Sequence, residues 1–309
     1  MNRYKGRAVV VVALAVPMAL VIVSAKAQQT PIFRSTTATV SVSASVKKSN
    51  NAVANLTAAD FVLTDNGVPQ TIEAVSIENV PIDVTLFLDT SGSTAGRLDD
   101  MKKDVQTIVQ FLRADDKFRL LTIGDSVYES VPWVRAGTKV NLTFEAVGGI
   151  SLVRDAIMLA LLHHTEPGRR HLVVGMTDRQ DCGSLIPATL LLEMAARSDA
   201  VIQLVDYSGG GGSSSYRVRS CTPRAPGSGV SAIERAAERT GGELQDQSRW
   251  FRSSSIAKAF RTIFDDFRQS YVLRYSPERV SSKGWHAIAV RVPSIKDAVV
   301  KARQGYYGD

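Results

Sequence analysis

The fold of the chain is decided by Ile82-Asp83-Val84-Thr85-Leu86-Phe87-Leu88-Asp89-Thr90-Ser91-Gly92-Ser93-Thr94. Ile82, Val84, Leu86, Phe87 and Leu88 spell a buried strand that stops abruptly on one carboxylate and closely spaced hydroxyls. Open α/β sheets keep their binding sites at the carboxyl ends of their strands, so Asp89-x-Ser91-x-Ser93 sets oxygen ligands at such an edge. Oxygen-only ligands suit Mg²⁺ or Mn²⁺ rather than zinc.

Downstream of this run, strands alternate with helical patterns, as in a parallel sheet covered on both faces. Leu98, Met101, Val105, Ile108, Val109 and Leu112 fall at helical spacing. Strands are expected at 118–123, 172–176 and 201–205, a hairpin edge at 127–134, and helices at 152–164, 186–197 and 230–240. Ile256, Ala259, Phe260, Ile263, Phe264 and Phe267 then form one apolar face behind a Ser253-Ser254-Ser255 start. The expected fold class over residues 80–268 is α/β, a doubly wound, mostly parallel, Rossmann-like sheet.

Both flanks are β-rich. Ala38, Val40, Val42, Ala44 and Val46 alternate with polar residues, and Asp65-Asn66-Gly67 is a hairpin signal between strands expected at 61–64 and 70–75. Alternation returns at 271–275, 287–292 and 298–302. Neither set is large enough to be stable alone. Residues 34–79 and 270–309 are therefore expected to pair into one small β-sandwich-like domain, from which the α/β domain emerges as an insertion.

At the start, Arg3, Lys5 and Arg7 precede an uncharged stretch, and Ala25-Lys26-Ala27 offers a small-x-small cleavage site. Residues 1–27 read as a signal peptide, which makes the expected protein secreted or periplasmic, with no stable membrane span after cleavage. The alternative is an uncleaved anchor, but an apolar run of about 16 residues interrupted by Pro17 falls short of the roughly 20 that a span needs. Cleavage removes four of the 37 basic residues and none of the 30 acidic ones, lowering the formal charge from +7 to +3. With its arginines scattered, such a chain is not expected to bind nucleic acid. Cys182 and Cys221 have one possible intramolecular pairing, so a disulfide is expected in an oxidising compartment, the alternative being two unpaired thiols. That bridge would tether the glycine- and serine-rich stretch at 209–229 to the sheet's carboxyl edge. Neither cysteine has a second Cys or His at zinc-ligand spacing.

Two further loops complete the opening motif. Gly148-Gly149-Ile150-Ser151 precedes a helix, and Thr177-Asp178 directly follows a buried strand. Asp89, Ser91, Ser93, Ser151 and Asp178 together are expected to make an octahedral Mg²⁺ site, with the hydroxyls ligating directly and the carboxylates acting largely through water. An ion held so keeps much of its charge, leaving a place for an acidic side chain from a partner. Asp125 and Asp206 also follow strands but read as solvated loop residues. His163 and His164 are adjacent and read as surface or helix-end groups. No Gly-x-Ser-x-Gly elbow, His-Glu-x-x-His or nucleophile-base pair occurs, so catalysis is not expected.

These three loops resemble the metal-ion-dependent adhesion site of von Willebrand factor type A domains. The flanks resemble a bacterial exported subgroup with that domain, through Asn55-Leu56-Thr57-Ala58-Ala59-Asp60-Phe61, Asp65-Asn66-Gly67-Val68-Pro69-Gln70 and Tyr271-Val272-Leu273-Arg274-Tyr275-Ser276-Pro277. The resemblance implies Mg²⁺ or Mn²⁺ at the five residues and a protein or cell-surface ligand presenting Asp or Glu. Two positions depart from the family pattern: Ile150 separates Ser151 from the glycines, and Arg179 stands where glycine usually follows the aspartate. The other reading is a metal-independent structural scaffold of a cell-envelope assembly.

Overall fold

The computed structural model describes residues 39–49, 51–92, 94–145, 150–181, 183–207, 229–245 and 253–308. The expected signal peptide, Ser93, Gly148, Gly149 and both cysteines lie outside them. In chain order the elements are β1 Val40–Lys48, β2 Asn51–Ala52, β3 Val62–Asp65, β4 Val68–Gln70, β5 Ala74–Ile77 and β6 Ile82–Asp89. Then come α1 Leu98–Val109, β7 Lys117–Ile123, β8 Val127–Arg135, α2 Val153–Leu161, β9 Arg170–Thr177, α3 Ala188–Arg197 and β10 Val201–Asp206. The remainder are α4 Gly229–Arg239, β11 Leu244–Gln245, α5 Ser253–Gln269, β12 Tyr271–Tyr275, β13 Gly284–Arg291, β14 Val299–Ala302 and β15 Gly305–Gly308.

The central sheet runs β11-β10-β9-β6-β7-β8, and only β8 is antiparallel to its neighbour. Every residue of β6 is buried, because β6 is flanked by β7 and β9 and covered by helices on both faces. The chain leaves β6 toward β7 and later returns on its other side as β9, which makes the end of β6 a topological switch point. On one face Leu86, Leu88, Leu120, Val174 and Met176 pack with Met101, Val105 and Ile108 of α1 and Phe260, Ile263, Phe264 and Phe267 of α5. On the other, Phe87, Leu121 and Val173 pack with α2, α3 and α4. Each such side chain contributes about 1.5–3 kcal/mol by its burial. Phe87 lies so close over Gly175 that a Cβ there would fall 1.9 Å from its ring. Among the described residues no helix is long and apolar enough to cross a membrane.

Both ends of the chain build antiparallel sheets. One runs β14-β1-β12-β5 and the other β15-β13-β3-β4. Val42, Ala44, Val46, Phe61, Leu63, Tyr271, Leu273, Tyr275 and Ile288 share their core. Asn66 and Gly67, at φ 47° and 81°, make the two-residue turn between β3 and β4. The strand expected at 70–75 is corrected: β4 ends at Gln70, and the chain crosses to pair β5 with β12 in the other sheet. A period-2 pattern does not reveal such a change of sheet.

Candidate metal centre

Register sets the site. Leu88 pairs with Met176 and Asp206 with Thr177, so the ends of β6, β9 and β10 bring Asp89, Thr177 and Asp206 level along the carboxyl edge. Asp89 is fully buried. Its Oδ1 accepts the Ser91 backbone N–H at 3.1 Å, and its Oδ2 accepts the hydroxyls of Ser151 at 2.9 Å and Thr177 at 3.0 Å. All three loops thus converge on one carboxylate. Thr94 fastens the first loop, its hydroxyl donating to the carbonyls of Asp89 at 2.5 Å and Ser91 at 3.0 Å.

Ile150 does not displace Ser151. Its side chain packs against the apolar face under α2, close enough that a Cβ on Gly183 would lie 2.2 Å from its Cδ1. Ser151 is left buried, just ahead of α2, with its hydroxyl on Asp89. The third loop is tied to the same helix start. Asp181 accepts the Arg154 backbone N–H at 2.7 Å, and Asp155 accepts the N–H groups of Leu185 at 3.0 Å and Ile186 at 2.9 Å. These carboxylates satisfy helix- and loop-start donors that would otherwise be unpaired.

Asp178 is buried and takes the Gln180 N–H at 3.0 Å. Arg179 adopts φ 67°, a conformation that favours glycine, and its N–H donates to the Thr177 hydroxyl at 2.9 Å. Its guanidinium lies against Asp206 at 3.1 Å and Glu234 of α4 at 3.3 Å. Asp206 is therefore corrected: it is a buried ion-pair partner at the site's rim, whereas Asp125 is exposed. Thr177 and Thr94 were named within the motif but not among its site residues, and Glu234 was not named at all. Thr177 carried a signal, a hydroxyl beside Asp178 at a strand end; Glu234 carried none, because only the tertiary fold brings α4 to this loop.

Burial, then the charge of Asp178, pushes the Asp89 pKa up to about 6 against the hydrogen bonds from Ser91 and Ser151. Each of the other buried aspartates touches a basic side chain: Asp65 contacts His286, Asp83 contacts Arg169, Asp116 contacts Arg268 and Asp206 contacts Arg179. Asp89 and Asp178 alone among the described buried aspartates touch no Lys, Arg or His. Among the described residues no cluster of three or more His, Cys, Asp or Glu forms a metal site, so the donors here are hydroxyls with two carboxylates. That hard-oxygen set, carrying excess negative charge, fits a divalent cation. Ser93, which also belongs to the expected ligand set, lies outside the described residues.

The α/β layers form a mostly parallel sheet covered by helices on both faces, and the chain is similar to solved structures that carry von Willebrand factor type A domains. No family model and no curated protein matches the chain. Solved structures do. An aerotolerance-related membrane protein from Bacteroides fragilis NCTC 9343, carrying multiple mutations to serine, is 16% identical and aligns over 60% of this chain and 98% of its own, with a TM-score of 0.43. A von Willebrand factor type A structure from Catenulispora acidiphila is 14% identical over 83% of this chain and 64% of its own, with a TM-score of 0.48. Manganese-loaded Plasmodium vivax TRAP protein is 14% identical over 79% of this chain and 97% of its own, with a TM-score of 0.39.

Proposed function

We propose that the chain is an exported, non-catalytic binding module that holds Mg²⁺ or Mn²⁺ at Asp89, Ser91, Ser93, Ser151 and Asp178 and engages an acidic group of a protein or cell-surface partner. One observation carries the reading: two buried carboxylates stand close together at the sheet's carboxyl edge, one of them holding hydroxyls from two further loops, and among the described residues no cationic side chain pairs with either. A buried charge without a partner is costly, and a divalent cation is the partner this donor set suits. When bound, the ion supplies a coordination position for an incoming carboxylate. The chain's own part is to hold the hydroxyls in place through Thr94, Thr177 and the Asp181 cap, and to keep Arg179 occupied by Asp206 and Glu234 instead of Asp178.

Calorimetric titration of the full chain with MgCl₂ and MnCl₂ tests the metal, with one saturable site expected and its loss in Asp89→Ala. Capture of a partner from the native envelope is then expected to fail in chelator. A folded wild type that takes up neither ion overturns the reading and favours the metal-independent scaffold.

A further inference from the structure

At the opposite, amino edge of the same sheet lies a cleft of about 260 Å³, walled by β1 and β12 on one side and by the starts of β9 and β10 on the other. Its wall carries several charges, and nearly all are matched. Glu78 pairs with Arg274, Glu166 with Lys117 at 3.1 Å, Asp199 with Arg303 at 2.6 Å, and Arg169 with Asp83 at 2.6 Å. His171 also lines the cleft and is neutral, because burial first and the neighbouring His163 and Arg119 charges next push its pKa down to about 3.

Arg170 is different. Its guanidinium donates to neutral oxygens only: the Phe267 carbonyl at 3.0 Å, the Ser270 hydroxyl at 2.7 Å and the Ser43 hydroxyl at 3.5 Å. It stacks over the Phe267 ring at 4.1 Å, and no carboxylate pairs with it among the described residues. Burial lowers its pKa to about 10, so it stays protonated at neutral pH. Phe267 lies in the last turn of α5, whose dipole offers about half a negative charge. Glu78 on the same wall lends Arg170 part of its negative charge but is itself paired with Arg274, so Arg170 has no carboxylate of its own among the described residues. Three of its five N–H donors are used in these bonds, which leaves two for a ligand.

We infer that this cleft is a binding site for one carboxylate, from a small organic acid or from a peptide C-terminus, with Arg170 as its charge partner. A single negative charge balances the wall, whereas a phosphate dianion overshoots it. The volume equals that of roughly eight or nine liquid water molecules at about 30 Å³ each, which suits a small acid or the last residue of a peptide. The hydroxyl of Ser41, which also lines the cleft, supplies a polar partner for the remainder of such a ligand. This site is separate from the proposed metal centre: β9 runs from Arg170 to Thr177, about 23 Å at ~3.3 Å per residue.

The test is calorimetric titration of the full chain, in chelator, with acetate, L-lactate, inorganic phosphate, and a tripeptide in free-acid and C-terminally amidated forms. The expected result is one saturable site for at least one carboxylate, with phosphate and the amidated peptide at least tenfold weaker. Saturation by the small acids assigns the free-acid source; saturation by the free-acid peptide alone assigns the C-terminus. Arg170→Gln is expected to weaken binding at least tenfold. Ser41→Trp, an exposed position on the cleft wall that leaves Arg170 in place, gives the same loss should the first variant fail to fold. The inference is overturned if no carboxylate saturates, if phosphate binds as tightly, or if both variants bind like the wild type. Arg170 is then a cap for α5 and nothing more.

Discussion

Strand β6 carries a buried aspartate at each end, and the fold treats them oppositely. Asp83, at the amino end, receives the Arg169 guanidinium at 2.6 Å and the His163 ring at 3.1 Å. Burial raises its pKa, but those two partners outweigh burial and hold it below the usual carboxylate range. Asp89, six residues on, has hydroxyl and amide donors and a second carboxylate, and its pKa rises to about 6. Both side chains are closed to solvent, and Asp89 lies the deeper of the two; what reverses the sign at Asp83 is the supply of positive charge. A structural carboxylate brings its own cation, and one that lacks it is a place for a cation to arrive.

The contrast breaks most visibly at Asp83. Asp83→Ala strands Arg169 in a buried position and is expected to cost about 3–5 kcal/mol, read from denaturant midpoints, whereas Asp89→Ala in chelator is expected to cost clearly less. Equal losses would mean that both ends are structural. Next in size is the effect of metal. Mg²⁺ at one hundred times its dissociation constant is expected to stabilise the wild type by about 2.7 kcal/mol and Asp89→Ala not at all.

A smaller signal lies in pH. A carboxylate whose pKa is raised on folding binds protons better in the native state, so its stabilising effect is present at low pH and is lost as pH climbs from about 4 to about 6. Asp83, with its pKa lowered, has the opposite sign and loses stability as pH falls. In chelator, wild type minus Asp89→Asn is therefore expected to decline across pH 4–6 in a thermal melt series, and saturating Mg²⁺ is expected to flatten that decline. Smallest is Arg179→Gly. Relief of the left-handed backbone, about 1 kcal/mol, offsets part of the loss of the Arg179 pairs with buried Asp206 and partly exposed Glu234, so stability read from denaturant midpoints is expected to fall by about 1 kcal/mol.

Much of this was legible in the chain itself. Phe260, Ile263, Phe264 and Phe267 at helical spacing do form the buried face of α5, and the run at 82–89 is the strand its composition describes. Asp89, Ser91, Ser151 and Asp178 were named from residue type and position, and the first three are joined by hydrogen bonds. Less legible were the change of sheet after Gln70, the two-residue edge strand β11, and the burial of Asp206. Each depends on a partner distant in sequence, so no local period reports it.

By itself, the sequence determined where strands end and which residue types stand there, because apolar periodicity and the hydroxyl-carboxylate spacing are local properties. Only the tertiary structure decided which charges are matched. Asp83 meets Arg169 across 86 residues, Asp116 meets Arg268 across 152, and Arg170 meets no carboxylate among the described residues. Charge compensation acts over a few ångströms in space, and a linear chain does not state which of its distant residues will come that close.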